Sequence, residues 1–103
     1  MVRKIVWTSK ALADLREIHN YIARDSRRYA QIQVERLQDS ALKLSSLPEV
    51  GRVVPEFPSG PWREILSGNY RLIYRAVAGE PRLLILAVVH GRQLLRKTMI
   101  APD

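Results

Sequence analysis

The sequence predicts an α+β fold, in which a helical hairpin packs on one face of a small antiparallel sheet. Two observations carry this reading. The first half holds two consecutive apolar stripes of helical period, whereas the second half turns to short runs of Val, Ile, Leu and Tyr divided by Gly- and Pro-containing turns. Helices segregated from strands mean α+β rather than an alternating parallel architecture. With 103 residues there is room for one core, and residues 1–103 are expected to form a single domain.

Residues 3–7 read as a short opening strand, and Thr8 is a good N-cap for a helix starting at Ser9. From Ser9, the residues Ala11, Leu15, Ile18 and Ile22 make one apolar stripe, with Asp14, Arg16, Glu17 and Arg24 falling away from it. Asp25-Ser26 breaks this helix and caps the next. Ala30, Val34, Leu37, Ala41 and Leu44 repeat the stripe, and Pro48 stops the second helix near Leu47. The very short join makes an αα-hairpin.

Residues 48–61 contain Pro48, Gly51, Pro55, Pro58, Gly60 and Pro61, an irregular connection with room for an edge strand at Arg52 to Val54. Trp62 to Leu66 reads as a strand, Ser67-Gly68-Asn69 as a hairpin turn, Tyr70 to Val77 as the next strand and Arg82 to His90 as the last. The last strand is almost wholly apolar, as a central strand covered on both faces would be. Gly91 breaks it, and Leu94 to Ile100 has room for a short helix. The overall order is β-α-α-β-β-β(-α).

Composition narrows the function. Hydrophobic residues make up 47% and charged ones 26%, so the chain is not intrinsically disordered. The longest apolar run, Leu83 to Val89, is far short of the roughly 20 residues a membrane span needs. No signal peptide is expected from Met1-Val2-Arg3-Lys4-Ile5. The absence of cysteine excludes disulfides, thiolate nucleophiles and Cys-based zinc sites, and fits a cytoplasmic protein. The net charge is +7, and arginine supplies most of the 17 basic residues. Its planar fork of donors suits phosphate and carboxylate, so the partner expected is a polyanion.

Along Tyr70–Arg75, alternation sets Arg71, Ile73 and Arg75 on one face and Tyr70, Leu72 and Tyr74 on the other. The more apolar face is assigned to the helices. Arg71 and Arg75 then point from an open face, joined by Arg63 and by Arg92 at the end of the last strand. Each arginine alone can equally cover strand surface with its methylene stem. By residue type His90 is a candidate general acid or base, but it has no carboxylate partner in sequence, and a hydrogen-bonded structural histidine is the alternative. Glu56 and Glu64 read as ion-pair partners of Arg63 or Arg71, with catalytic carboxylates as the alternative, and Trp7 and Trp62 read as core, with one exposed binding aromatic as the alternative. His19 lacks a second ligand at i+4; no metal site and no cofactor is expected.

The chain also resembles the RelE/ParE toxins of type II toxin–antitoxin systems over almost its whole length. The resemblance is carried by Ile5-Val6-Trp7-Thr8, Ala11-x-x-Asp14-Leu15-x-x-Ile18, Tyr21-Ile22-Ala23, Leu47-Pro48-x-x-Gly51-Arg52, Arg63-Glu64-Ile65, Gly68-Asn69-Tyr70-Arg71-Leu72-Ile73-Tyr74-Arg75 and Val89-His90-Gly91-Arg92. It implies a growth-arresting toxin, associated with plasmid stabilization and neutralised by a cognate antitoxin, through which alone operator DNA would be reached. RelE-like members cut mRNA on the ribosome; ParE-like members inhibit DNA gyrase. Arg71 and Arg92 match catalytic arginines of the RelE-like enzymes, and Arg52 lies near a third. The strand lysines of those enzymes align with Trp62 and Glu64, their C-terminal tyrosine falls near Thr98, and His90 is the one candidate acid or base. The resemblance therefore favours the ParE-like branch, with a ribosome-dependent, metal-independent endoribonuclease as the alternative. Arg52, Arg63, Arg71, Arg75 and Arg92 are the residues expected to meet antitoxin or target.

Overall fold

A computed structural model describes residues 2–100. In chain order the elements are β1 (Lys4–Trp7), α1 (Ser9–Ala23), α2 (Arg27–Lys43), β2 (Arg52–Val53), β3 (Arg63–Ser67), β4 (Tyr70–Ala76), β5 (Arg82–His90) and a single 3₁₀ turn at Lys97–Met99. The strands form one sheet in the order β1-β5-β4-β3-β2. Both helices start where a hydroxyl can cap them. Thr8 Oγ1 accepts from Ala11 N at 3.2 Å, and Ser26 Oγ accepts from Tyr29 N at 3.2 Å. No helix among the described residues is long and apolar enough to cross a membrane.

The expected all-antiparallel sheet needs a correction. The three strands β3, β4 and β5 are antiparallel neighbours, but β1 lies parallel to β5, Lys4 opposite Arg82 through Trp7 opposite Ile85. The sheet is therefore mixed. The intervening helices return the chain to the same side before the last strand is laid down, so β1 and β5 run the same way.

The hairpin covers one face as expected. Ala11, Leu15, Leu37, Ala41 and Leu44 from the helices pack on Leu72, Tyr74, Leu83, Ile85 and Val88, with Ile18, Ile65 and Trp7 at the margin. A second correction concerns the other face, which is not open. Val54, Phe57 and Trp62 from the connection, and Leu95, Met99 and Ile100 from the tail, cover Ile73, Leu86, Ala87 and Val89. The tail does this as extended chain ending in the 3₁₀ turn, not as a helix over Leu94 to Ile100. Both faces of the last strand are thus buried, which is why it reads as continuously apolar.

The second helix stops at Lys43 rather than near Leu47. Tertiary hydrogen bonds compete with another turn: Arg3 N donates to Ser45 O at 2.9 Å, and Ser45 Oγ donates to Arg3 O at 2.5 Å. The motif Leu47-Pro48-x-x-Gly51-Arg52 is explained by Tyr74. Its hydroxyl donates to Pro48 O at 2.8 Å and accepts from Gly51 N at 3.0 Å. A Cβ on Gly51 would sit 2.5 Å from that hydroxyl and 2.6 Å from Glu64 O, so only glycine fits.

Candidate functional site

The central feature of the second face is a buried charge cluster. Register sets Arg52 opposite Glu64, Glu64 opposite Ile73, and Arg71 opposite Val89, all on the face away from the helices. Arg71 is 5% exposed and Glu64 1%. Arg71 Nε and Nη2 both donate to Glu64 Oε1, at 2.9 and 2.6 Å. Nη2 also donates to Glu56 Oε1 at 2.6 Å, and Nη1 donates to Glu56 Oε2 at 2.8 Å and to Gln93 O at 3.0 Å. A guanidinium has five N–H donors, and here all are engaged by the chain itself. Glu64 Oε2 accepts from Arg52 Nε at 2.7 Å, and Glu56 Oε2 accepts from Leu95 N at 2.8 Å.

Two carboxylates and two guanidiniums make the cluster formally neutral, which is what burial demands. The hydrogen bonds from Arg71 hold Glu56 down from 4.5 to about 2. The carboxylates of Glu56 and Glu64 in turn raise the Arg71 pKa, so it stays charged. The cluster also has a positional effect. Glu56 belongs to the connection and Gln93 and Leu95 to the tail, so Arg71 ties both to the sheet. The expectation that Glu56 and Glu64 are ion-pair partners holds for Arg71.

The arginines do not gather as the strand alternation suggests. Arg63 lies opposite Tyr74 and so projects to the helix side, where Nη1 donates to Gly51 O at 2.8 Å. Arg75 is on the second face but opposite Leu84, far along β4 from Arg71, half-buried, and its guanidinium has no hydrogen bond among the described residues. Arg92 is exposed beyond the strand end, and its guanidinium is free among the described residues. Arg52 is exposed apart from its pairing to Glu64. His90 lies opposite Tyr70, on the helix side, its ring edge-on to Tyr70 at 5.7 Å, and its Nδ1 accepts from Arg92 N at 3.2 Å. The one acid–base candidate and the one buried arginine therefore point to opposite faces of the sheet. Trp7 and Trp62 pack at the margins of the two cores, Trp62 edge-on to Phe57 at 5.4 Å.

Asp14 is the residue that sequence reading misplaced. It is 8% exposed rather than turned away from the core. The β4–β5 register shifts between Ile73 and Tyr74, and both Leu86 and Ala87 join the second face. Beyond Ile85 no strand of the described residues flanks β5 on the β1 side, and Asp14 Oδ2 accepts from Val88 N at 2.9 Å in place of a ladder partner. Lys10 Nζ neutralises it at 2.6 Å, and Thr8 Oγ1 donates to Ile85 O at 2.9 Å. The pairing of Lys10 and Asp14 at i, i+4 is the available sequence signal. A groove of about 790 Å³ opens beside this pin, lined by Lys10, Glu17, Tyr21, Asn69, Tyr70 and His90 among others. Among the described residues no His, Asp and Glu cluster has the number of ligands a metal ion needs.

This architecture is shared with known proteins. The profile of the ParE toxin of type II toxin–antitoxin system, parDE, matches residues 5–95, and the chain belongs to that family, the toxins of type II toxin–antitoxin modules. Toxin RelE2 of Caulobacter vibrioides is 44% identical over 50 residues, which make up 48% of this chain and 57% of that relative. The matched segment thus spans little more than half of that protein. The chromosomal ParDE system of P. aeruginosa contains a chain of the same fold, with a TM-score of 0.69 and 20% identity over 86% of this chain and 96% of that one. The RelBE2 toxin–antitoxin complex of Mycobacterium tuberculosis gives 0.65 and 23%, covering 87% and 99%. A mutant of E. coli toxin RelE in the free state gives 0.63 and 17%, covering 89% and 86%. At these identities the structures establish the fold.

Proposed function

We propose that the chain arrests bacterial growth as a ParE-like inhibitor of DNA gyrase, without a ribonuclease centre, and that a cognate antitoxin neutralises it. The observation that carries this is Arg71. A metal-free ribonuclease stabilises phosphorane charge with donors aimed at the phosphate. Every donor of Arg71 is instead spent on Glu56, Glu64 and Gln93, and the side chain is buried. His90 is on the opposite face, and neither a strand lysine nor a C-terminal tyrosine supplies the missing acid and base. Family membership supports the same branch.

The antitoxin partner is supported by the toxin–antitoxin complexes among the structures of the same fold. Its carboxylates meet the exposed Arg52 and Arg92 and the half-buried Arg75, since Arg71 has no donor left. Operator DNA is recognised through that antitoxin. The test is supercoiling by purified gyrase with the purified toxin and no ribosomes. Inhibition relieved by the antitoxin is expected. Unimpeded supercoiling, with growth arrest intact in cells, would direct attention to the ribosome.

A further inference from the structure

We propose that the turn joining the two helices is a contact surface for the phosphate backbone of duplex DNA, made by Arg24, Arg27 and Arg28 with Tyr21 and Tyr29 beside them. The five ion pairs among the described residues lie elsewhere, at Asp14, Glu56, Glu64 and Glu80. At the turn, three exposed guanidiniums have no carboxylate partner among the described residues, and the adjacent Asp25 pairs with none of them. Arg24 rests only over the Tyr21 ring, 6.0 Å from its centroid. Tyr21 and Tyr29 are 69% and 67% exposed, and neither hydroxyl is hydrogen-bonded to the described residues.

The placement of two of these cations works against the fold. Arg27 and Arg28 occupy the first turn of α2, which contains no acidic residue. Positive charge there opposes the helix macrodipole, and acids would serve the helix better. Three neighbouring arginines, none of them paired with a carboxylate of the described residues, therefore call for an external polyanion. The run Arg24-Asp25-Ser26-Arg27-Arg28 offers no aliphatic side chain to anchor a bound acidic peptide. It offers exposed guanidinium forks, with phenol hydroxyls flanking them, and these suit phosphate oxygens. The contact is independent of base sequence, so it leaves operator reading to the antitoxin. It also stands apart from the gyrase reading, because toxin and bare DNA are sufficient to measure it.

The experiment is fluorescence anisotropy of a labelled DNA duplex of about 20 base pairs with the purified full chain, between roughly 50 and 200 mM salt. The test variant is Arg24→Glu/Arg27→Glu/Arg28→Glu. The control is Lys4→Glu/Lys43→Glu/Arg82→Glu, whose cations lie by the paired starts of β1 and β5 and at the far end of α2. Both variants lower the net charge from +7 to +1. The turn variant should lose most of the affinity, and its slope of log affinity against log salt should be shallower by about 2–3, whereas the control keeps the wild-type slope to within about one. Arg27→Glu/Arg28→Glu should melt at a higher temperature than wild type, so weakened binding cannot be unfolding. The proposal is overturned by no wild-type binding, by equal losses in the two triple variants, by tighter binding to an RNA duplex of the same sequence, or by binding of polyglutamate with none of DNA. A double variant that both melts lower and binds less would assign these arginines to the fold, and would likewise overturn it.

Discussion

Arg71 and the arginines of the interhelical turn are the same residue type in opposite circumstances. Arg71 sits in mid-strand, with Glu64 on the neighbouring strand and Glu56 on the overlying connection, and all five of its donors are taken. Arg24, Arg27 and Arg28 sit on a solvent-facing turn, paired with no carboxylate of the described residues. What separates a structural arginine from a contact arginine here is the presence of buried acids placed in register, not the arginine itself. A basic net charge therefore says little about which cation meets a partner.

The sharpest way to break this comparison is to remove Arg71. Arg71→Ala leaves Glu56 with only the Leu95 N–H and Glu64 with only the exposed Arg52 as partners, and should cost about 3–5 kcal/mol in urea unfolding. Arg71→Met combined with Glu56→Gln and Glu64→Gln should recover much of that loss; no recovery would mean that Arg71 does more than neutralise the two acids. On the opposite face of the sheet Leu37 is fully buried. Leu37→Ala should cost about 2–5 kcal/mol, the ordinary cavity penalty. A loss below about 0.5 kcal/mol would contradict the packing of the hairpin, since surface substitutions stay within that range.

Acid should act on the charged cluster. Glu56 titrates at about 2 in the folded chain against 4.5 unfolded. Its pKa is depressed by folding, so its contribution is complete above pH 4.5 and is lost as the pH falls towards 2. At full value it amounts to about 3 kcal/mol. The slope of unfolding free energy against pH over that interval should flatten in Glu56→Gln. The smallest expected effect is at the helix start: Thr8→Ala should cost about 0.5–2 kcal/mol by thermal melting, because Thr8 caps α1 and also bonds to β5.

The elements were largely legible in the sequence, because period and caps are local properties. Leu15, Leu37 and Leu44 lie in the core where the stripes place them, and Thr8 and Ser26 cap the two helices. The order of faces on β4 follows from alternation alone. What was not legible depends on contacts distant in sequence. The parallel pairing of β1 with β5 joins residues about 80 positions apart. Asp14 is buried because no strand of the described residues flanks β5 on the β1 side at Val88, which no local pattern announces. Arg63 projects to the helix side because β3 lies in register with β4 at Tyr74. The covering of the second face by Leu95 and Ile100 turns Arg71 from an apparent anion site into a buried tie.

On the gyrase reading proposed above, Arg71 is spent on the fold and forms no part of a ribonuclease centre. The most direct test of that reading is primer extension on mRNA from a reconstituted translation reaction to which the purified toxin is added. Full-length extension products, identical with and without toxin, are expected. Discrete ribosome-dependent cuts would contradict the reading, and would mean that the Arg71 cluster opens on the ribosome to present a guanidinium the isolated chain keeps occupied.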